Sequence, residues 1–286
     1  MSILLNGEKL RDHLIPLLVQ EIRNRELKPK LVIIQIGNNK ESNKYIHKKK
    51  LLGKKIGAIV VHTKYAENVT AAKVIRDIQK YNQDPHTHGI MIQLPIPQAL
   101  KDARIIEAID PIKDVDGLTA YNTKSLFDTK EAYLPATTQG ILTLLNHYNI
   151  SLEGKKVVIV GASMLVGRPT ALALLNRKAT VTVCHIHTHN LEEETRRADI
   201  LIVATGKAGL ITAHYVTKKQ VVIDVGITIT KNKKVVGDVD YAKVHKHVYA
   251  LSPVPGGVGP MTVVSLYQNL IKACIALSTK KIPKRA

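Results

Sequence analysis

Apolar residues recur along the chain in short runs separated by longer amphipathic stretches, and the alternation occurs twice. In the first half, runs over 31–36, 58–62 and 89–94 read as strands, and the stretches 42–55 and 69–81 between them read as helices. That order predicts a parallel sheet with helices on its faces, so the fold class is α/β. A helix over 8–26 precedes the first strand, and Pro16 must either bend it or lie near its start. In the second half, Val- and Ile-rich runs over 155–160, 180–184, 200–203, 221–225 and 247–251 are bounded by Gly, Asn or Asp and predict buried parallel strands. A helix over 139–147 connects the halves. An apolar segment over 261–277 predicts a last helix, followed by a basic tail.

The run Gly161-Ala162-Ser163-Met164-Leu165-Val166-Gly167-Arg168-Pro169 follows the strand 155–160. A glycine at a strand end permits a tight turn, after which backbone amides and a helix N-terminus face an anion. Gly167 lets the helix approach the sheet, and Pro169 suits a first helical turn. Ser163 stands where a common dinucleotide fingerprint has its second glycine, and the last glycine comes one position late. An ordinary strand–helix turn fits the same residues; the placement between strand and helix favours a nucleotide site. An NAD site usually places an acidic residue about twenty positions on. Here stands Cys184-His185-Ile186-His187-Thr188-His189-Asn190, with no carboxylate before Glu192, which favours NADP. Alternate histidines on a strand would share a face and could pair on a metal. No partner ligands accompany them, so polar residues beside a cofactor are the preferred reading and no metal is expected.

Tyr45 and Lys49 lie four apart on the predicted helix 42–55, with Ser42 one turn earlier. A phenol that stacks on a substrate beside an amine of tunable basicity is a useful chemical pair. A lysine-rich solvated helix explains the same residues. Short-chain dehydrogenases use this spacing too, but with the glycine-rich turn before the pair rather than after it. Gln93 ends the strand 89–94, where open α/β sheets bind ligands, and could bond a lysine amine or a substrate amide. Lys113-Asp114-Val115-Asp116-Gly117 places a carboxylate in a turn, able to accept N–H bonds from a heterocycle; for either residue alone, a structural turn or edge role is the better reading. Between Ser252 and Thr262, three glycines and three prolines exceed the needs of a connector and predict a rigid loop offering backbone amides.

Composition narrows the class. The 286 residues are 45% hydrophobic and 23% charged, enough for a full core without staples. Two distant cysteines, Cys184 and Cys274, fit a reducing compartment, and no apolar run reads as long enough to span a bilayer, so a soluble cytoplasmic protein is expected. Forty-two Lys plus Arg against 23 Asp plus Glu give a formal charge of +19. Such a surplus suits nucleic acid, an anionic membrane or acidic small molecules. With no Trp and Phe127 the single Phe, no interleaved aromatic stripe supports nucleic acid, and neither nucleic acid nor membrane is expected as a partner.

Together, Ser42-x-x-Tyr45-x-x-x-Lys49, Gln93-Leu94-Pro95, the 113–117 segment, the 161–169 turn, Val222-Ile223-Asp224-Val225-Gly226, Gly237-Asp238-Val239 and Pro253 to Thr262 resemble the bifunctional methylenetetrahydrofolate dehydrogenase/cyclohydrolase family nearly end to end. The resemblance implies a two-domain α/β protein. An N-terminal folate-binding domain, 1–138, completed by the helix 261–279, faces a Rossmann-like NADP-binding domain, 139–260, across a cleft; 280–286 is a basic tail. It implies oxidation of 5,10-methylenetetrahydrofolate to the methenyl form and hydrolysis to 10-formyltetrahydrofolate, in a homodimer. It also implies Lys49 as the residue activating water, Gln93 tuning it, Tyr45 stacking on the folate and Asp116 anchoring the pterin. Ser42, Pro255, Gly256 and Gly257 would contact substrate; Gly161, Ala162, Ser163 and Ile227 would line the dinucleotide site. A dehydrogenase-only relative is the alternative within the family, and intact Lys49 and Gln93 argue against it. Two departures stand out. Pro135-Ala136-Thr137-Thr138 replaces a common Pro-Cys-Thr-Pro, and Ile186 and His187 replace Ser and a basic residue. This leaves Arg168, or His187 when protonated, as the cation for a 2′-phosphate. Folates with polyglutamate tails would give the basic surplus a purpose.

Overall fold

In the computed structural model, which describes residues 2–128, 133–230 and 232–279, the apolar runs become the strands of two parallel sheets. The chain opens with β1 (Ile3–Leu4), α1 (Gly7–Asn24), β2 (Lys30–Ile36), α2 (Lys40–Ile56), β3 (Ile59–Tyr65), α3 (Ala71–Gln83) and β4 (Gly89–Gln93). After α4 (Ala120–Ser125) and α5 (Ala136–His147) come β5 (Lys156–Val160), α6 (Gly167–Leu175), β6 (Thr180–Cys184), α7 (Leu191–Arg196), β7 (Ile200–Val203) and β8 (Val221–Asp224). The short β9 (Thr228–Ile229), β10 (Val235–Val236), α8 (Tyr241–Val244) and β11 (Ala250–Leu251) lead to α9 (Val258–Thr279). Two units divide the chain. One holds Met1–Asp12, Leu126–Lys130 and Thr137–Thr262; the other holds His13–Ser125, Glu131–Ala136 and Val263–Ala286. The tail over 280–286 lies outside the described residues.

In the second of these units the sheet order is β3-β2-β4, all parallel. β2 is central and Leu31 to Ile34 are fully buried, which is why it reads as an unbroken apolar run. One side of the sheet packs Val32, Ile34, Ile90 and Ile92 against Val74 and Ile78 of α3. β3 extends beyond the predicted 58–62, through Thr63, Lys64 and Tyr65. It is an edge strand with only one neighbour, so polar side chains are tolerated along it.

The first unit carries a six-stranded parallel sheet, β1-β11-β8-β7-β5-β6. Val158, Val160, Leu201, Val203 and Val222 form its core on one face. β1 pairs with β11 through two residues only, too few for periodicity to signal, and the β9–β10 hairpin is equally short. The predicted strand 247–251 shrinks to Ala250–Leu251, because His247 hydrogen-bonds back to Val244 in a turn.

Pro16 sits well inside α1, which removes the second of the two placements open to it. One expectation needs correction. α9, 22 residues long, is long and apolar enough to cross a membrane by length and composition, against the reading that no such run exists; 61% of its apolar window is buried inside the protein, as in a core helix.

Candidate active site

Asn39 starts α2 by accepting the Glu41 and Ser42 amides, each at 2.9 Å. The helix is largely polar, yet Ser42, Ile46, Lys49, Gly53 and Ile56 recur at three- and four-residue spacing and are all buried. Lys49 therefore stands on the apolar face and is only 8% exposed. Its Nζ donates to Gln93 Oε1 at 2.8 Å. Gln93 closes β4, and its Nε2 donates to the Leu94 carbonyl at 2.8 Å, which fixes the amide with its oxygen toward the lysine. Ser42 Oγ donates to that same carbonyl at 3.3 Å.

Burial pushes the Lys49 amine below the ordinary lysine range, and the Asp116 charge opposes the shift. Asp116 is raised by the protein crowding around it, with Lys49 pulling it down and Asp114 pushing it up. Tyr45 is half-buried one turn before Lys49; burial and Glu41 raise its phenol, and Lys48 Nζ lies 5.9 Å from its ring centre.

The turn carrying Asp116 is folded by its neighbours. Asp114, 1% exposed, accepts the amides of Gly117 at 3.0 Å and Thr119 at 2.8 Å and the Asn122 side chain at 2.9 Å. Buried Lys113 donates to the carbonyls of Tyr81, Asn82 and Asp84 at the end of α3. With those tasks taken by Asp114 and Lys113, the Asp116 carboxylate accepts no hydrogen bond from a described residue.

The resemblance implies that the last helix completes this domain, but not which of its residues do so. The fully buried Tyr267 donates its hydroxyl to the Lys49 carbonyl at 2.6 Å. A Cβ on Gly53 would come within 2.5 Å of that hydroxyl, so glycine is what admits it. Asn269 donates to the carbonyls of Val115 and Leu134 at 2.9 and 3.0 Å, bracing the Asp116 turn. Only the helical period placed Tyr267 and Asn269 on α9; nothing local tied them to a site.

The remaining predicted residues belong to the other unit. Gly161 adopts φ 118°, and a Cβ there would lie 2.1 Å from the Ala204 carbonyl oxygen; one on Gly167 would lie 1.8 Å from the Gly161 carbonyl oxygen. The strand–turn–helix cradle thus excludes side chains at both positions, which fits a dinucleotide approaching the backbone closely. Ser163 Oγ accepts the Val166 amide at 3.2 Å and the Gly167 amide at 3.5 Å. Arg168 is exposed, and its Nε donates to the Ala162 carbonyl at 3.1 Å. β6 ends at Cys184, so His185, His187 and His189 occupy a turn, correcting the shared strand face; Thr188 Oγ1 accepts the His185 amide there at 2.8 Å. His185, Ile186 and His187 are all exposed, with no carboxylate among 185–190, an environment that accommodates a 2′-phosphate.

Ile227, 39% exposed, packs beside Gly259. The loop before α9 also offers a carbonyl. Gly256 oxygen accepts the Gly7 and Glu8 amides, capping α1, while Gly257 is buried and Pro255 exposed. The departing segment 135–138 opens α5, and the buried Thr138 hydroxyl bonds that of Thr170 at 2.9 Å.

Residues 5–116 match the family model for the tetrahydrofolate dehydrogenase/cyclohydrolase catalytic domain, and residues 135–277 match that for its NAD(P)-binding domain. The bifunctional protein FolD of Thermodesulfovibrio yellowstonii is 42% identical over 255 residues, 89% of each chain, and that of Bacillus subtilis is 41% identical, over 89% of this chain and 90% of that one. The structure of the bifunctional methylenetetrahydrofolate dehydrogenase/cyclohydrolase from Campylobacter jejuni superposes with a TM-score of 0.93 at 39% identity, covering 96% of this chain and 99% of that one. The Trypanosoma brucei dehydrogenase-cyclohydrolase, solved with NADP and an inhibitor, gives 0.92 at 29% identity, covering 98% and 99%. Two matched domains in the right order, relatives near 40% identity along most of their length and the shared fold agree: this chain belongs to the tetrahydrofolate dehydrogenase/cyclohydrolase family.

Proposed function

We propose that this chain catalyses two consecutive reactions of a one-carbon unit on tetrahydrofolate. The first is NADP-dependent oxidation of 5,10-methylenetetrahydrofolate to 5,10-methenyltetrahydrofolate. The second adds water to the methenyl carbon, releases a proton and gives 10-formyltetrahydrofolate; both run in either direction. The observation that carries the reading is the buried Lys49–Gln93 hydrogen bond, beside a carboxylate whose oxygens no described residue occupies.

A neutral amine has two N–H groups and one lone pair. Committing one N–H to Gln93 restricts where the lone pair points, and burial favours the neutral form. Lys49 then accepts the proton of the water that attacks the methenyl carbon, and returns it in the reverse direction. Tyr45 offers its ring face to the folate heterocycle, and Asp116 accepts the pterin N–H groups. Ser42 and Gln93 hold the Leu94 carbonyl and, through it, the floor of the site. NADP, when bound, supplies the hydride acceptor. Gly161, Ala162, Ser163 and Ile227 would hold it, with Arg168 and His187 toward the 2′-phosphate. Pro255, Gly256 and Gly257 would contact the substrate.

We assign the unit that begins at His13 and is completed by α9 to the folate-binding domain and the six-stranded unit to the cofactor domain; β1 draws residues 1–12 out of the expected 1–138 and into the cofactor domain. β6 ends the six-stranded sheet with Thr180, Thr182 and Val183 exposed, an open edge that supports a homodimer through the cofactor domain. Two buried free cysteines accord with a cytoplasmic enzyme. The decisive experiment incubates the purified protein with 5,10-methylenetetrahydrofolate and NADP or NAD, following methenyl hydrolysis separately. Oxidation with NADP and hydrolysis in the same preparation is the expected result; oxidation without hydrolysis would leave a dehydrogenase only.

A further inference from the structure

Two buried aspartates in the six-stranded unit take no part in the chemistry above. Asp224 ends β8 and is 3% exposed; Asp238 follows β10 and is fully buried. Their contacts are crossed. Asp224 accepts the amides of Gly226, Asp238 and Val239, each at 3.0 Å. Asp238 Oδ2 accepts the Thr205 amide at 2.5 Å, the Thr205 hydroxyl at 2.9 Å and the Gly206 amide at 2.9 Å. A Cβ on Gly226 would lie 2.0 Å from the Asp238 carboxyl carbon, and one on Gly237 would lie 1.8 Å from Asp224 Oδ2. Each carboxylate therefore fills the space that glycine leaves on the other's segment.

The segments held this way follow the carboxyl ends of β7 and β8, where parallel sheets bind ligands. Ala204, next to Thr205, is the residue whose carbonyl the Gly161 turn abuts. Ile227 directly follows Gly226, and the Thr228 hydroxyl donates to the Gly206 carbonyl at 3.4 Å, tying the two loops together. Asp238 Oδ1 is buried and has no hydrogen-bond partner among the described residues. An unpaired buried oxygen is costly. Against that cost stand the three hydrogen bonds that Oδ2 accepts from Thr205 and Gly206.

We propose that Asp224 and Asp238 are positioning residues for the dinucleotide: a crossed clamp that sets the backbone of 205–206 and 226–227 against it. The inference rests on the NADP reading above. It is tested by titrating NADPH into the full-length protein and following nicotinamide fluorescence, which no tryptophan in this chain obscures, with methenyl hydrolysis as a second readout. Asp238→Ala should raise the NADPH Kd at least about tenfold. Asp238→Asn, whose amide oxygen still accepts from Thr205 and Gly206, should recover most of the affinity. Hydrolysis, whose proton-handling residues Lys49 and Gln93 lie in the other unit, should stay within about twofold throughout. If Asp238→Ala does not fold, Thr205→Val decides: it withdraws one donor, keeps the carboxylate and should weaken binding about threefold. Unchanged NADPH affinity in the folded variants, or hydrolysis falling in step with affinity, would overturn the clamp. Wild-type protein that binds no NADPH would instead overturn the cofactor reading on which it rests.

Discussion

Lys49 Nζ lies 2.8 Å from Gln93 Oε1, and the Gln93 amide is itself anchored to the Leu94 carbonyl, so a strand end dictates the orientation of a helix-borne amine. Lys49→Ala should reduce methenyl hydrolysis by about a hundredfold or more, the usual range for losing a positioned acid–base group. NADPH affinity should be unchanged. Gln93→Ala, which leaves the amine but frees its orientation, should lower kcat by a smaller factor. Stopped assays of hydrolysis beside nucleotide titration check both; hydrolysis that survives Lys49→Ala would remove the lysine from the mechanism.

The electrostatics around Lys49 give a signed pH prediction. The amine must be neutral to take a proton, so hydrolytic kcat falls as pH drops through the Lys49 pKa, which burial has already lowered. Asp116 opposes that lowering. Asp116→Asn should therefore move the acidic limb of the kcat profile to lower pH, while weaker pterin binding raises KM. A limb that moves to higher pH would contradict the pairing.

Asp224 predicts a stability effect with its own pH window. Burial raises its carboxyl to about 7, despite three backbone donors that favour the ionised form. An unfolded aspartate titrates near 3.9. The folded state thus holds the proton more tightly, and this contribution is complete below the unfolded pKa and lost as pH rises through about 7. Asp224→Asn should flatten the fall in unfolding free energy between about pH 4 and 7, with a slope change of at most about 1.4 kcal/mol per pH unit. Urea denaturation across that range measures the slope, apart from any constant cost of the substitution.

Tyr267→Phe removes a buried hydroxyl from the Lys49 carbonyl. The expected cost is about 0.5–1.5 kcal/mol of stability, the net worth of one buried hydrogen bond, since the carbonyl keeps its helical bond from the Gly53 amide. A modest drop in hydrolytic kcat should accompany it. Equal stability of the two proteins would mean that the helical bond alone satisfies that carbonyl.

The basic surplus, dense along the exposed side of α2 at Lys44, Lys48, Lys50, Lys54 and Lys55, should attract polyglutamylated folates. A pentaglutamate substrate should bind about tenfold tighter than its monoglutamate at low salt, and the ratio should shrink toward one as salt screens the charges. Equal affinities at low ionic strength would leave the lysines a solubility role only.

Much of this architecture is legible in the residue pattern where the physics is local. β2, β4, β5, β7 and β8 are buried on both faces and announce themselves as apolar runs. The Tyr45–Lys49 spacing and the strand-end position of Gln93 are equally visible. Lys49 itself looks solvated in sequence, because six of its near neighbours on α2 are lysines or histidine; its burial follows only from the Ile46, Gly53 and Ile56 stripe on which it falls. The histidines after Cys184 looked strand-like because alternation cannot show where a ladder stops. The crossed aspartates were visible as motifs without a purpose, since their partners at 205–206 and 226 are joined to them only by the fold.

The bond from Tyr267 to Lys49 has a consequence for how the protein is made. These residues are separated by 218 positions, and both belong to the unit that begins at His13 and resumes at Val263. A ribosome has released residues 13–125 from its tunnel long before it synthesises α9. The three-stranded sheet can pair early, but the carbonyl of Lys49, the Asp116 turn and the space beside Gly89 wait for Tyr267, Asn269 and Leu270. During that interval the six-stranded unit emerges and has its own strands to assemble. The catalytic half of the molecule is thus mostly made before the other unit and completed after it.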